Sequence, residues 1–388
     1  MAKRFTSIDV TRGLVMIIMA LDHTRDLMHK TSITEVPTNL ATATMPLFLT
    51  RWITHLCAPI FVFLAGTSVY LLMKKQNNVR ITQNHLIKRG LWLIFIEFTL
   101  VNFGIWFDLG FHTFLFQVIA VIGLGFLLLA AFIRISYKWI GLIGITIILF
   151  HNALVLIPFR EGSVLQSVLL PFFSTTVLPL SKSTILVIGY PVVPWLGIMF
   201  SGFFAGHLFE FPENRRRILF LKIGTGLIFF FIILRIINIY GDPAPWSYQK
   251  NTIFTFLSFI NVTKYPPSLL FSLITLGIMF IFLSIAEKFS NQITGILNVY
   301  GRVPFFYYIV HWYIIHPFMI ILMLLQGFGF HQLSFANGHF GRPDNTESGF
   351  DLWIIYLIWL LVVVLLYFPC KWFSKYKMEH QNWWLKYL

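Results

Sequence analysis

Charged residues are scarce in this chain of 388 residues, at 11% of the total, whereas apolar residues make 57% and aromatic residues 18%. Soluble globular domains are about 25% charged and about 45–50% apolar, so the composition excludes an ordinary soluble domain. It also excludes a disordered or coiled-coil chain, because such chains carry many charges and few aromatic side chains. The composition is typical of a protein whose helices cross a membrane.

Cysteine is nearly absent, with Cys57 and Cys370 the two in the sequence. They fall on opposite sides of the predicted bundle, too far apart for a disulfide. The sequence has no pair of cysteines at metal-binding spacing and no His-x-x-x-His pair on a predicted helix. We therefore expect no metal site.

Ten apolar runs predict an all-α fold, a polytopic membrane helix bundle of about ten transmembrane helices. We expect one membrane-embedded domain over 1–388, with 372–388 as a cytoplasmic amphipathic tail. The segment 163–180 is short and holds two prolines, so we expect it to lie at the outer surface rather than to cross. The runs are 8–28, 52–73, 90–107, 113–133, 139–159, 184–209, 218–240, 266–286, 303–326 and 351–370.

The net charge of +14 comes mainly from Lys and Arg residues in the segments between these runs. With the N-terminus inside, the inner segments hold eighteen Lys and Arg residues and the outer segments six. An excess of positive charge is expected on cytoplasmic loops, so both termini are predicted in the cytoplasm and the protein in the cell membrane. The charge needs no nucleic-acid partner, and the expected surroundings are a lipid bilayer.

The end of the first run carries the densest ionisable cluster, Asp22-His23-Thr24-Arg25-Asp26 followed by His29. On a helix, Asp22, Arg25, Asp26 and His29 share one face, with His23 roughly 100° round. An Asp22–Arg25 ion pair would offset part of the cost of burial. A carboxylate beside an imidazole is also how a general base is oriented, although a helix end emerging into water would carry such residues too.

Other histidines also fall near the outer side of the predicted bundle. His55 opens the second run, and His311 and His316 lie in the ninth. His311 and His316 are five residues apart, roughly 140° round a helix, so one helix cannot direct both at a single ligand. Tyr307 precedes His311 by four residues and would hold its orientation. This gathering of imidazoles indicates proton chemistry near the outer face.

The run 184–209 contains Pro191 and Pro194, which we expect to break a helix beside a cavity. Gly202 and Gly206 in the same run predict close packing against a neighbouring helix. A broken helix, in a bundle divisible as five plus five, also fits a secondary transporter of a small polar solute. The sequence leaves this alternative open.

Five blocks of sequence resemble the heparan-α-glucosaminide N-acetyltransferase catalytic-domain family, within the group of transmembrane acyltransferases. They are SIDVTRGLVMIIMALDHTRD, PLFLTRWITHLCAPIFVFLAGTSVYLL, HTFLFQVIAVIGLG, YPVVPWLGIMFSGFFAG and GRVPFFYYIVHWYIIHP. The resemblance implies transfer of an acyl group, acetyl in the lysosomal member, from cytoplasmic acyl-CoA to a sugar or glycan acceptor across the membrane. It also implies an essential histidine just after the first helix, whose counterpart here is either His29 or no residue.

The residues and the resemblance together give a mechanistic hypothesis. His23, oriented by Asp22 or Asp26, takes the proton from an acceptor amine or hydroxyl, or forms an acyl-histidine intermediate. His311 or Tyr307 stabilises the oxyanion, and His29 and His55 are further catalytic candidates. The sequence leaves a homo-oligomer open. The phosphates of acyl-CoA are expected to bind inner-end cations, namely Arg12, Lys88, Arg89, Arg134 and Arg302.

Overall fold

Helices make up most of the protein. The computed structural model describes residues 5–156, 164–288, 291–335, 338–344 and 346–387, so the ends of the predicted run 139–159 and of the predicted tail lie outside the described residues. The helices are α1 (Thr6–Met28), α2 (Met45–Thr54), α3 (Cys57–Gln76), α4 (Val79–Ile96), α5 (Asn102–Trp106), α6 (Val118–Phe132), α7 (Tyr137–Phe150), α8 (Val164–Phe173), α9 (Val192–Ala205), α10 (Glu213–Ile237), α11 (Thr252–Ile260), α12 (Leu269–Ala286), α13 (Gln292–Arg302), α14 (Pro304–Leu325) and α15 (Leu352–Glu379).

Six helical stretches within the described ranges are long and apolar enough to cross a membrane. Two shorter apolar helices, Val118–Phe132 and Tyr137–Ala153, accompany them. The chain is thus a multi-pass helical membrane protein, whereas the count of ten spans and the side of the termini stay predictions. The six stretches are Met45–Gln76, Val192–Glu210, Glu213–Ile237, Leu269–Ala286, Pro304–Leu325 and Leu352–Glu379.

Two predicted runs begin as strands rather than helices. Residues Thr113–Phe116 form β1 and Ile185–Ile188 form β3; they pair in parallel, and β2 (Thr176–Pro179) pairs antiparallel with β3. The all-helical prediction is wrong here because short apolar runs of β-branched and aromatic residues suit a strand as well as a helix. A second, two-stranded sheet joins β4 (Leu333–Ser334) to β5 (Arg342–Pro343).

The segment 163–180 is described from residue 164 onwards. It folds as α8 followed by β2. At 1.5 Å per residue the ten residues of α8 span about 15 Å, half of the roughly 30 Å hydrocarbon core. The helix is therefore too short to cross by itself.

The prediction that Pro191 and Pro194 break a helix is wrong. Pro191 caps the N-terminus of α9 and Pro194 lies in its first turn, where a missing N–H costs no helical hydrogen bond. The packing predicted for the glycines is confirmed. A Cβ added at Gly202 would lie 2.0 Å from the carbonyl oxygen of Phe63 in α3, and one at Gly206 would lie 2.5 Å from the Cβ of Tyr70.

Helix α1 lies in the centre of the bundle, packed against α2, α3, α12, α13, α14 and α15. Its charged side chains Asp9, Asp22 and Arg25 are buried by these neighbours. This placement explains why the first run is the most polar of the predicted spans, because ionisable groups in a membrane protein face the bundle interior.

Helix α13 approaches α1 at backbone contact. A Cβ built at Gly13 would lie 1.9 Å from the carbonyl oxygen of Leu297, and one at Gly301 would lie 1.7 Å from that of Asp9. Glycine is required at both positions because a methyl group would overlap main-chain atoms of the facing helix.

We expect Gly13→Ala to lower the stability of the detergent-solubilised protein by about 1–3 kcal/mol, the usual cost of overpacking. Gly295→Ala on the same helix pair is the matched control, since a Cβ at Gly295 meets no atom within 4 Å. The measurement is the thermal unfolding midpoint of each variant. Equal midpoints for Gly13→Ala and Gly295→Ala would contradict the close approach.

Candidate active site

A cavity of about 590 Å³ runs beside α1. Its wall includes Arg12 near the start of the helix and Asp26 near its end. The two residues are fourteen helical steps apart, about 21 Å at 1.5 Å per step. The cavity therefore has two ends, which we call the Arg12 end and the Asp22 end.

The Asp22 end is organised around one buried carboxylate. Asp22 is 6% exposed and accepts hydrogen bonds at 2.7 Å from Arg25, Arg51 and the hydroxyl of Thr54. Arg25 also donates to Asp26 at 2.5 Å. The predicted Asp22–Arg25 pair is confirmed, and the network adds Arg51 and Thr54, which join α2 to α1.

His23 has a partner other than the one the sequence indicated. Its Nδ1 lies 2.6 Å from Nε2 of His311 in α14, and its ring stacks on Trp312 with 4.1 Å between centroids. Arg25, Arg51 and Thr54 bind Asp22, and Arg25 binds one oxygen of Asp26, so the hydrogen-bond partner of His23 Nδ1 is not the carboxylate that the sequence indicated. A second imidazole takes that place.

The second nitrogen of His311 is unsatisfied. Nδ1 of His311 is buried and has no hydrogen-bond partner among the described residues. Either of two tautomers of the neutral pair makes the contact between Nδ1 of His23 and Nε2 of His311, with the shared proton on one ring or on the other.

Lys264 and two tyrosines add polar groups to the same end. Lys264, Tyr265 and Tyr190 line the cavity, and the two phenolic oxygens are 3.4 Å apart. Although burial alone would raise it, the positive charges of Lys264 and Arg51 hold the pKa of Tyr265 below its ordinary value. The electrostatic potential here is therefore positive.

The Arg12 end is lined by cations. Arg12 donates to the carbonyl of Leu64 at 3.1 Å and to the hydroxyl of Ser68 at 2.5 Å. Further basic residues of the wall come from three other segments of the chain, and they are His85, Arg89, Arg302 and Lys377. This set provides several donors for an anionic ligand.

The C-terminal segment closes part of this end. Leu385 is 4% exposed and lines the cavity, and the ring of Tyr387 stacks on that of His85 with 6.1 Å between centroids. The residues predicted to form a cytoplasmic amphipathic tail thus contribute to the cavity wall.

The structure brings together most of the predicted site residues. His311 is not in the cavity wall but contacts His23, which is. The predicted residues in the wall are Arg12, Asp22, His23, Asp26, Arg89 and Arg302. Four predicted residues lie outside the wall. Lys88 and Arg134 are exposed, whereas His29 and His55 are buried, His55 within electrostatic range of Asp22 and Lys264. Tyr307 is likewise outside the wall, packed on Tyr300 and His311.

His29 contacts residues that hold the fold together rather than the cavity. Arg342 donates to its carbonyl oxygen at 2.7 Å, and its Nδ1 contacts the hydroxyl of Thr31 at 3.2 Å. Burial, reinforced by the positive charges of Arg25, Lys30 and Arg342, lowers the pKa of His29 to about 4. His29 is therefore neutral at pH 7 and belongs to the anchor between α1 and the loop before α15. His55 packs edge-on against Phe271.

Sequence reasoning missed Lys264, Tyr265, Tyr190, Ser68, His85 and Lys377 as cavity residues. His85 carried a signal, because it precedes Arg89 by four residues and shares its helix face. Lys264 carried none, since it lies in a loop far along the chain from α1. Among the described residues, no group of three or more His, Cys, Asp or Glu side chains is placed to hold a metal ion.

The fold has a central polar helix in a bundle of apolar helices, and its two-ended cavity holds a histidine pair at one end. The sequence matches the family described as "Heparan-alpha-glucosaminide N-acetyltransferase, catalytic" over residues 4–238. Because this match covers more than half of the chain, the chain belongs to that family and, in class, is a transmembrane acyltransferase. The comparison with curated proteins found no match.

We expect Asp22→Asn to destabilise the protein by about 3–5 kcal/mol, because it leaves Arg25 and Arg51 buried without their countercharge. Asp26→Asn is the matched control. The Asp26 side chain is 41% exposed, so its loss should cost less than about 1 kcal/mol. The free energy of unfolding of each variant is measured in mixed detergent. Similar losses for the two variants would contradict the central role of Asp22.

The lowered pKa of His29 predicts acid sensitivity. His29 binds a proton near pH 6.5 in the unfolded chain and near pH 4 when folded, so stability is lost as the pH falls between these values. Between about pH 7 and pH 4.5 we expect the melting temperature of the wild type to fall a few degrees more than that of His29→Asn. His331→Asn, at an exposed position, should behave as the wild type. Parallel curves for wild type and His29→Asn would contradict this account.

Proposed function

We propose that the protein is an integral membrane acyltransferase that moves an acyl group, acetyl in the simplest case, from cytoplasmic acyl-CoA to an amine or hydroxyl of a sugar-type acceptor on the outer side of the cell membrane. One observation carries the proposal: a single cavity has cations at one end and the His23–His311 pair at the other. Such a cavity suits a reaction whose two substrates arrive from opposite sides.

The distribution of charge supports the orientation that we propose. Positive residues gather at the Arg12 end. Lys74 and Lys75 lie in the last turn of α3, and Arg216 packs on Phe5 just before α1. Positive residues concentrate on cytoplasmic loops, so the Arg12 end faces the cytoplasm. Ten spans with both termini inside complete this topology.

The donor binds through its phosphates at the Arg12 end. Arg12, Arg89 and Arg302 supply guanidinium groups, which pair with phosphate through two parallel hydrogen bonds. His85 and Lys377 add further N–H donors. The thioester then extends along α1, past the apolar side chains of Met16 and Met19, which line the wall.

His23 acts as the general base. Its Nε2 takes a proton from the acceptor amine as the nitrogen attacks the thioester carbonyl carbon, and a C–N bond forms. Collapse of the tetrahedral intermediate breaks the C–S bond, and the imidazolium returns the proton to the CoA sulfur. For a hydroxyl acceptor, a C–O bond forms in the same way.

His311 is a positioning residue in this scheme. Its Nε2 accepts from Nδ1–H of His23, which fixes the tautomer and stabilises the imidazolium that forms. Trp312 holds the plane of the His23 ring by stacking. His311 itself needs no contact with substrate.

The structure removes the main observation that favoured a secondary transporter. It depended on a helix broken at Pro191 and Pro194, and both residues begin α9 instead of interrupting it. In an acyltransferase the imidazole pair takes the role of a general base and its positioning partner.

We expect purified protein in proteoliposomes to release CoA from acetyl-CoA when an amino sugar such as glucosamine is added. His23→Ala should reduce the rate by about 10²–10⁴-fold, the usual contribution of a general base, with unchanged affinity for acetyl-CoA. His311→Ala should shift the pH–rate profile, because the tautomer is no longer fixed. His331→Ala, outside the cavity wall, is the control. Full activity of His23→Ala would refute the proposed role.

A further inference from the structure

Lys264 is a buried cation inside the cavity. It lies in the loop between α11 and α12, is 7% exposed and lines the wall at the Asp22 end. Within the described ranges no carboxylate forms an ion pair with it, and its ammonium lies 5.0 Å from the centroid of the Tyr265 ring. Lys264 also lies beyond residues 4–238, which match the family.

The charges around Lys264 do not cancel. Asp22 and Asp26 are matched by Arg25 and Arg51, which bind them directly. Lys264 therefore leaves one positive charge in excess, within electrostatic range of Asp22 and His23. A buried charge is costly unless a counterpart neutralises it, so this end of the cavity is arranged to receive negative charge.

Acyl transfer produces negative charge at one atom. When the acceptor attacks the thioester, the π electrons of the carbonyl move to its oxygen, which becomes an oxyanion until the C–S bond breaks. A fixed charge aimed at that oxygen is often the largest single contribution to catalysis. The residues that the sequence indicated for this role are placed otherwise, because His311 is engaged by His23 and Tyr307 is outside the wall.

We propose that Lys264 is a catalytic residue, whose ammonium donates a hydrogen bond to the carbonyl oxygen of the acyl group and stabilises the oxyanion of the tetrahedral intermediate. This assignment rests on the proposed function, since it requires an acyl thioester beside His23. Lys264 keeps its proton throughout, and the proton of the acceptor still passes to His23. The carbonyl therefore returns to a neutral acyl product when the CoA thiolate leaves.

The test is infrared difference spectroscopy of acetyl-CoA labelled with ¹³C at the carbonyl, bound to detergent-purified full-length protein without acceptor. In the wild type we expect the carbonyl band at lower frequency than for acetyl-CoA in water, because the ammonium polarises the C=O bond. Lys264→Gln should return the band to the aqueous frequency, with the Kd for acetyl-CoA unchanged within about threefold. Lys264→Arg keeps the charge and should retain a shifted band. Lys250→Gln, at an exposed lysine of an adjoining loop, is the matched control and should leave the band as in the wild type.

The outcomes separate this assignment from the proposed function. Bound acetyl-CoA with an unshifted band in the wild type, or a shift that survives Lys264→Gln, overturns the role of Lys264 and leaves the acyltransferase proposal standing. Failure of the wild type to bind acetyl-CoA at all overturns both. Where Lys264→Gln does not fold, Lys264→Arg and Lys264→Met decide, since the first should keep the shift and the second should abolish it. In glucosamine-dependent turnover, Lys264→Gln should lower kcat by about 10²–10³-fold.

Discussion

The carboxylate of Asp22 is the group on which the rest of the site depends. A buried ion is costly by itself, and here it is stabilised by Arg25 from its own helix, by Arg51 and by Thr54. These bonds fix α2 against the end of α1. They hold the helix so that His23, the next residue, meets His311 from α14. The electrostatic network is thus structural, and it positions the pair of imidazoles to which we assign the chemistry.

This division of labour also explains why the polar helix is central. A helix with so many charges would be costly at the lipid boundary, whereas surrounded by six others it provides one wall of a cavity. Glycines at Gly13 and Gly301 let α13 reach main-chain contact with α1. Arg12 at one end of the cavity and His23 at the other are consequently held on the same helix, whereas the further cations and His311 come from neighbouring helices.

Much of the fold follows from local sequence, whereas most partners in the site do not. Apolar length predicts the helical bundle, and the three-residue spacing of Asp22 and Arg25 predicts their pair. The His23–His311 contact joins residues 288 apart, and no periodicity signals it. The sequence does not predict the strands β1 and β3, because an apolar segment of four residues is compatible with a helix as well as a strand. Lys264 becomes a cavity residue only when a distant loop folds over α1.

We propose that one cavity carries an acyl group from one side of the membrane to the other. The sidedness of transfer in sealed proteoliposomes with uniformly oriented protein tests this most directly. Radiolabelled acetyl-CoA is placed on the face bearing the Arg12 end, and glucosamine is placed either on the opposite face or on the same face. Labelled N-acetylglucosamine formed only with the acceptor opposite is the predicted result. Product formed only when both substrates share one face would contradict the account.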